Sequence, residues 1–180
     1  GNQELITMIE CICTDRTSLP PTYIFKGKNL QSSWIDSDPI NANYAVSPSG
    51  WTDNELGVYW IEKMFDQETQ DEADDARLLT LDGQTSHVSF EFGWYAREHS
   101  IDLLCLPLHS TAFLQPEDVV IFSLLAQVCT ILLGMWTRLL ISSIQGVYTI
   151  CRLYARAQVQ VFVPQLIQKA FEATGIFPFN

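Results

Sequence analysis

Two short apolar segments flank one helical segment, and this arrangement constrains the fold more than anything else in the chain. Residues 77–82 read R-L-L-T-L-D and residues 101–106 read I-D-L-L-C-L. Each is too short for a stable helix and apolar enough for an interior strand. Between them, residues 88–99 fit a helix. Strand, helix and strand in that order predict a βαβ unit with a parallel pair. The first strand ends on Asp82, followed by Gly83. Open α/β sheets bind ligands at the C-terminal ends of their strands, where the loops diverge.

The flanks predict the rest of an α/β domain. Residues 4–14 are β-rich and run into a turn at Asp15-Arg16-Thr17-Ser18, and residues 22–25 give a second strand, so the pair reads as an antiparallel hairpin. Residues 44–46 give a third short strand. Thr52 or Asp53 can cap a helix to about Gln70, with Leu56, Trp60, Met64 and Phe65 near helical spacing. Trp51 and Trp60 read as core. The acidic run from Asp66 to Asp75 reads as a solvated helix end and loop. A last helix covers residues 164–173, with Gly175 as its C-cap. No internal repeat or low-complexity tract interrupts the pattern.

The totals narrow the function. The 180 residues suit one domain, and 47% hydrophobic content can fill a core. A formal charge of −11 argues against this segment gripping phosphates unaided, although acids around a catalytic metal are compatible with that sign. Five cysteines at irregular spacing read as buried free thiols of a reducing compartment. Cys11 and Cys13 would share one face of a strand, and the absence of a C-x-x-C pair argues against zinc. The N-terminus shows no basic signal region and no initiator Met, so the chain reads as an internal or trimmed piece. Residues 119–137 carry no charge and match the length of a membrane-spanning helix. Ser123, Gln127, Thr130 and Gly134 within that run favour a buried core helix, with no membrane partner; a membrane-anchored segment is the competing reading.

Asp118 falls in the first turn of this helix, after Pro116 and 36 residues beyond Asp82. Two carboxylates facing one point could hold a hard divalent cation such as Mg²⁺ or Mn²⁺, and a metal pair suits phosphodiester cleavage. Alternatively, Asp82 caps a turn and Asp118 complements the helix dipole.

Several motifs, in order, resemble the pogo-like branch of the DDE transposases in the mariner superfamily, as found in fungal transposon-derived copies. Ile9-Glu10-Cys11-Ile12 with Leu19-Pro20-Pro21 and Ile24-Phe25-Lys26-Gly27 is similar to the family's second and third strands. Ser47-Pro48-Ser49-Gly50-Trp51-Thr52, Asn54-Glu55-Leu56-Gly57 and Trp60 resemble its first helix and approach. Leu78-Leu79-Thr80-Leu81-Asp82-Gly83-Gln84-Thr85-Ser86-His87 resembles the strand bearing the second acid. Leu104-Cys105-Leu106-Pro107-Leu108-His109-Ser110 and Leu114-Gln115-Pro116-Glu117-Asp118-Val119 resemble the last strand and the helix bearing the third, and the ending Ala173-Thr174-Gly175-Ile176-Phe177-Pro178 is also similar.

The resemblance implies a ribonuclease H-like α/β fold over residues 1–180, with Asp82 and Asp118 as catalytic and metal-binding acids. It also implies Mg²⁺ or Mn²⁺ as cofactor, DNA as partner through domains outside this chain, a homo-oligomer, and the nucleus as location. Gln84, His87 and His109 would line the site. Three departures stand out. The family's first acid lies on a strand upstream of Gly1, Gln84 stands where the family has His, and Glu117 stands where the family has an apolar residue, ahead of an uncharged helix where the family's is more basic and polar. A domain truncated in this way would lack its central strand. Residues 5–12 would then slide to pair with 78–82, or a gap would stay open between the half-sheets. Such a chain is expected to be inactive alone, and a non-catalytic scaffold that binds DNA or protein is the alternative function.

Overall fold

The computed structural model describes residues 6–35, 40–70, 76–82, 89–139 and 147–179. The chain is a mixed α/β protein that divides into two compact units, Gly1–Trp51 with Pro116–Asn180, and Thr52–Gln115. Among the described residues, five strands form one sheet of three and one of two.

In the first unit, β1 (Ile6–Ile9) and β2 (Thr22–Lys26) form the expected antiparallel hairpin, with Ile6 opposite Phe25 and Ile9 opposite Thr22. β1 is shorter than the 4–14 run, but its path continues through a single bridge between Ile12 and Ser18. The turn forms where expected. The Asp15 carboxylate accepts from the Thr17 N–H at 2.9 Å and the Thr17 hydroxyl at 2.6 Å, while Arg16 takes a positive φ of 79°. Asp is suited to such a turn because its short side chain reaches the backbone two residues on. β3 (Asn43–Ser47) pairs with β2 in parallel, which places β2 at the centre. That position explains why Thr22, Tyr23, Ile24 and Phe25 are all buried, without the alternation of a one-sided strand.

Two clusters make up this unit's core. Tyr23, Phe25 and Cys151 gather Ile6, Met8, Tyr44 and Trp34, the last from α1 (Ser32–Ile35). Phe25 and Trp34 lie 4.4 Å apart between ring centroids, and Tyr23 stacks on Tyr44 at 5.6 Å. The second cluster joins Ile12, Ile121, Leu125, Ala157, Val161, Ile167 and Ala170. It draws on a π-helical turn (Glu117–Ile121), α6 (Phe122–Leu139), α7 (Val147–Val161) and α8 (Pro164–Thr174). Sequence periodicity did not single out α7. α8 ends on Gly175 at φ 69°, the left-handed cap that glycine adopts without a Cβ clash.

The helix after Asp118 is not the buried core helix expected. The stretch Glu117–Met135 is long and apolar enough to cross a membrane by length and composition. Only Ile121 and Leu125 are fully buried there, with Val128, Cys129 and Leu132 packed against the same core, while Ile131, Leu133 and Met135 are exposed. It is therefore a surface helix with one face in the core. Cysteine burial also departs from expectation: Cys11 and Cys151 are buried, Cys13 and Cys129 are partly open, and Cys105 is exposed.

In the second unit, a helical run over residues 54–69 comprises α2 (Asn54–Trp60), a π turn (Ile61–Phe65) and α3 (Asp66–Thr69). Asp53 caps it, its carboxylate accepting from the Leu56 N–H at 2.9 Å. Trp60 is core as expected, but Trp51, at the boundary of the first unit, is exposed. β4 (Arg77–Leu81) runs parallel to β5 (Ile101–Cys105), with Leu79 opposite Leu103, and α4 (Phe90–Glu98) lies between them in the chain. α4 packs on β5, and Phe92, Ala96, Leu79 and Ile101 are buried. The pair is less enclosed than its apolar sequence suggests, since Leu78 and Leu104 are exposed.

Candidate catalytic residues and the polar clusters around them

Asp82 follows β4 directly, at the C-terminal end of the parallel pair. The ladder extends past the strands through the Leu106 N–H, which donates to the Leu81 carbonyl at 2.9 Å, so both chains leave the sheet at the same end. From that end β5 runs into the turn at residues 107–110. There the Ser110 hydroxyl donates to the Pro107 carbonyl at 2.7 Å, and His109 is exposed at φ 62°. Asp82 and His109 thus belong to the same unit and the same strand-end edge. Gln84 and His87 lie outside the described residues.

Asp118 belongs to the other unit, in the first turn of the π-helical segment that opens α6. Its neighbour Glu117 has the more unusual environment. Burial pushes the Glu117 carboxyl up to about 7, against hydrogen bonds from its own backbone N–H and that of Ile12, and the adjacent Asp118 charge pushes the same way. Glu10 sits nearby. Burial raises its carboxyl to about 7 as well, although the Tyr154 hydroxyl donates to its Oε1 at 2.6 Å and the buried Gln158 side chain also hydrogen-bonds it. Burial and Glu10 in turn raise the Tyr154 hydroxyl far above the ordinary phenol range. The first unit therefore holds two carboxyl groups poised near neutrality beside the helix that carries Asp118. Carboxyls in that range can give or take protons at physiological pH. Sequence reasoning missed both, though Glu10 left a signal as the only charge inside the apolar run of residues 5–13.

The second unit holds a tighter network, which corrects the reading of Asp66 as part of a solvated acidic run. Asp66 is buried, at 6% exposure. Its carboxylate pairs with Arg77 at 2.7 Å, accepts from the Tyr95 hydroxyl at 2.8 Å and faces His99 Nδ1 at 3.2 Å. Tyr95 stacks on His99 with ring centroids 4.0 Å apart. Burial works to raise the Asp66 carboxyl, but Tyr95, Arg77 and His99 together outweigh it and hold the carboxyl below its usual range. Arg77 opens β4 whereas Asp82 follows it, so this network sits at the opposite end of the strand and fastens the unit together.

Carboxylate oxygens are the donors that Mg²⁺ or Mn²⁺ prefers, so Asp82 and Asp118 suit such an ion chemically. No third His, Cys, Asp or Glu joins either one among the described residues. The two acids belong to different units.

One unit thus carries an acid at the end of a parallel strand pair, and the other carries an acid in the first turn of a helix. The DDE superfamily endonuclease model matches residues 2–143, and the chain belongs to that family. The chain is also 36% identical over 123 residues to the MFS-type transporter clz9 of Cochliobolus lunatus. The shared stretch covers 68% of this chain and 13% of that protein. No solved structure matches.

Proposed function

We propose that this chain is catalytic-core sequence of a pogo-like DDE transposase in the mariner superfamily, of the fungal transposon-derived kind, with a ribonuclease H-like arrangement over residues 1–180. The observation that carries this reading is the family match over residues 2–143, together with Asp82 at the C-terminal end of a parallel strand. In this reading Asp82 and Asp118 are the second and third acids of a site for Mg²⁺ or Mn²⁺, lined by Gln84, His87 and His109. When bound, the metal stabilises the attacking and leaving oxygens of a phosphodiester. Asp82 and Asp118 are the two acids that this reading assigns within residues 1–180. DNA is the substrate, contacted mainly by other domains, in a nuclear homo-oligomer with no membrane contact.

Two acids would leave a metal pair under-coordinated, so the expected outcome is no cleavage of DNA by this chain alone. A second reading, a non-catalytic scaffold derived from a transposase, is favoured by Gln84, which cannot act as a base where the family has His. Two measurements test the proposal. Supercoiled plasmid incubated with the purified chain and Mn²⁺ stays intact, and metal-dependent nicking abolished by Asp82→Asn would overturn the inactivity. Mn²⁺ titration followed by electron paramagnetic resonance finds weak binding that Asp82→Asn and Asp118→Asn each reduce. Binding unchanged in both variants removes the assignment of the acids.

A further inference from the structure

Cys11 and Cys13 are a pair of nucleophiles in the first unit that the proposed function leaves unused. Their thiols are hydrogen-bonded to each other. The backbone holds them in place from both sides. Cys11 accepts at its carbonyl from the Leu19 N–H at 3.0 Å, Cys13 donates its N–H to the Thr17 carbonyl at 2.9 Å, and the Cys13 carbonyl accepts from the Arg16 N–H at 3.0 Å. The Ile12–Ser18 bridge fixes the residue between them, and Ile12 is buried in the core. Two residues of extended chain span about 6.6 Å, at about 3.3 Å per residue. That lies at the upper end of the Cα separations a disulfide tolerates.

The two sulfurs differ in access and in charge. Cys11 is buried, while Cys13 is partly open to solvent. The Cys11 thiol and the Thr17 side chain both hydrogen-bond Cys13 and favour its thiolate, against burial and the charges of Asp15 and Glu117. The hydrogen bond to Cys13, burial, and the charges of Glu117 and Glu10 all hold Cys11 in its thiol form. A partly open thiol whose ionisation is favoured, beside a buried thiol held protonated, is the division of labour of an attacking and a resolving cysteine.

We propose that Cys11 and Cys13 form a reversible dithiol–disulfide site that exchanges with small-molecule disulfides of the glutathione class. The Cys13 thiolate attacks one sulfur of the small disulfide, forms a mixed disulfide and releases one small thiolate. Cys11 then loses its proton and attacks the Cys13 sulfur, forming the intramolecular bond and releasing the second small thiolate. The two cysteines are oxidised by two electrons, the small disulfide is reduced to two thiols, and these take up the two protons. A bridge across three residues restrains little chain entropy and starts near the limit of its span, so it is readily reduced. That makes it a sensing bond rather than a structural one.

The test uses the full chain, equilibrated in buffers of graded reduced and oxidised glutathione, quenched with an alkylating agent and read by peptide mass spectrometry. The expected result is a peptide carrying both cysteines that loses two hydrogens, resists alkylation and recovers both thiols with dithiothreitol. Cys11→Ala should trap one glutathione on Cys13, because the resolving thiol is gone. At pH 6, Cys13 should react with an aromatic disulfide reagent faster than exposed Cys105, since the Cys11 and Thr17 hydrogen bonds favour its thiolate. Should Cys11→Ala not fold, the wild-type mass shift and the rate ratio decide the question. Full alkylation of both cysteines in oxidised glutathione, or Cys105 reacting faster than Cys13, would overturn the proposal.

Discussion

Replacing Asp66 with Asn tests whether the second unit depends on a buried charge. The substitution keeps the shape of the side chain and removes the negative charge that Arg77 faces at 2.7 Å. Arg77 does not lose every partner. It still donates to the Asp66 carbonyl at 3.2 Å, to the Thr69 hydroxyl at 3.2 Å and, through Nη2, to the His99 carbonyl at 2.7 Å. Breaking a fully buried ion pair costs 3–5 kcal/mol. Arg77 retains 14% side-chain exposure and three carbonyl or hydroxyl acceptors, which places the expected loss at the lower end, about 3 kcal/mol. For a chain of this size that lowers the midpoint of thermal unfolding by roughly 6–12 °C. Tyr95→Phe removes one hydrogen bond to the same carboxylate and should cost about 1.5 kcal/mol. The two effects should not add, because both variants weaken one network.

Hydrogen exchange reads this network locally. Amides of β4 and α4 should lose protection in Asp66→Asn by about two orders of magnitude, the equivalent of about 3 kcal/mol, while those of β2 in the first unit stay unchanged. The pH dependence gives an independent sign. The folded-state pKa of Asp66 is depressed, so its contribution is present above the unfolded carboxylate value near 4 and is lost as pH falls through the folded value. The wild type should lose stability in that acid window, and Asp66→Asn should not. Unchanged protection in β4 with a stability loss under about 0.5 kcal/mol would refute the claim that this charge holds the unit together.

Glu10 and Glu117 should behave in the opposite sense. Their folded-state values are raised to about 7, so stability falls as pH rises from about 4.5 to 7, by up to about 3 kcal/mol per group, and Glu10→Gln should flatten that slope in urea melts taken at pH 5 and pH 8. Asp53→Ala removes the cap of α2 and should cost about 1 kcal/mol in the same assay. Gly175→Ala places a Cβ on a left-handed residue and should cost about 1 kcal/mol, read as increased exchange at the end of α8.

What the sequence reveals about this chain follows the range of each interaction. The antiparallel hairpin, the parallel pair, the Asp53 cap and the Gly175 cap rest on local signals, short β-rich or apolar runs bounded by turns and single capping residues, and all four form. Asp66 shows where such reading fails. In the sequence it begins an acidic run, and only the fold brings Arg77, Tyr95 and His99 to it from 11, 29 and 33 residues away. Glu10 meets Tyr154 across 144 residues, so no local pattern could mark it as a carboxyl near neutrality. The uncharged stretch after Asp118 fails differently. Its composition measures how apolar the helix is, while burial depends on how much of its circumference the rest of the unit can cover. Here α7 and α8 supply Ala157, Val161, Ile167 and Ala170 to one side, which bury Ile121 and Leu125 and leave Ile131, Leu133 and Met135 bare. Helix periodicity bears on this, because residues 121, 125, 128 and 132 share one stripe, at spacings of four, three and four; Ile131 and Leu133 lie off it, while Met135 continues the stripe at its far end and is exposed there. An apolar residue outside the packed stripe therefore carries no information about the core. For the same reason the family resemblance, which rests on ordered motifs at strand ends and helix starts, identifies this chain more firmly than its overall hydrophobicity does.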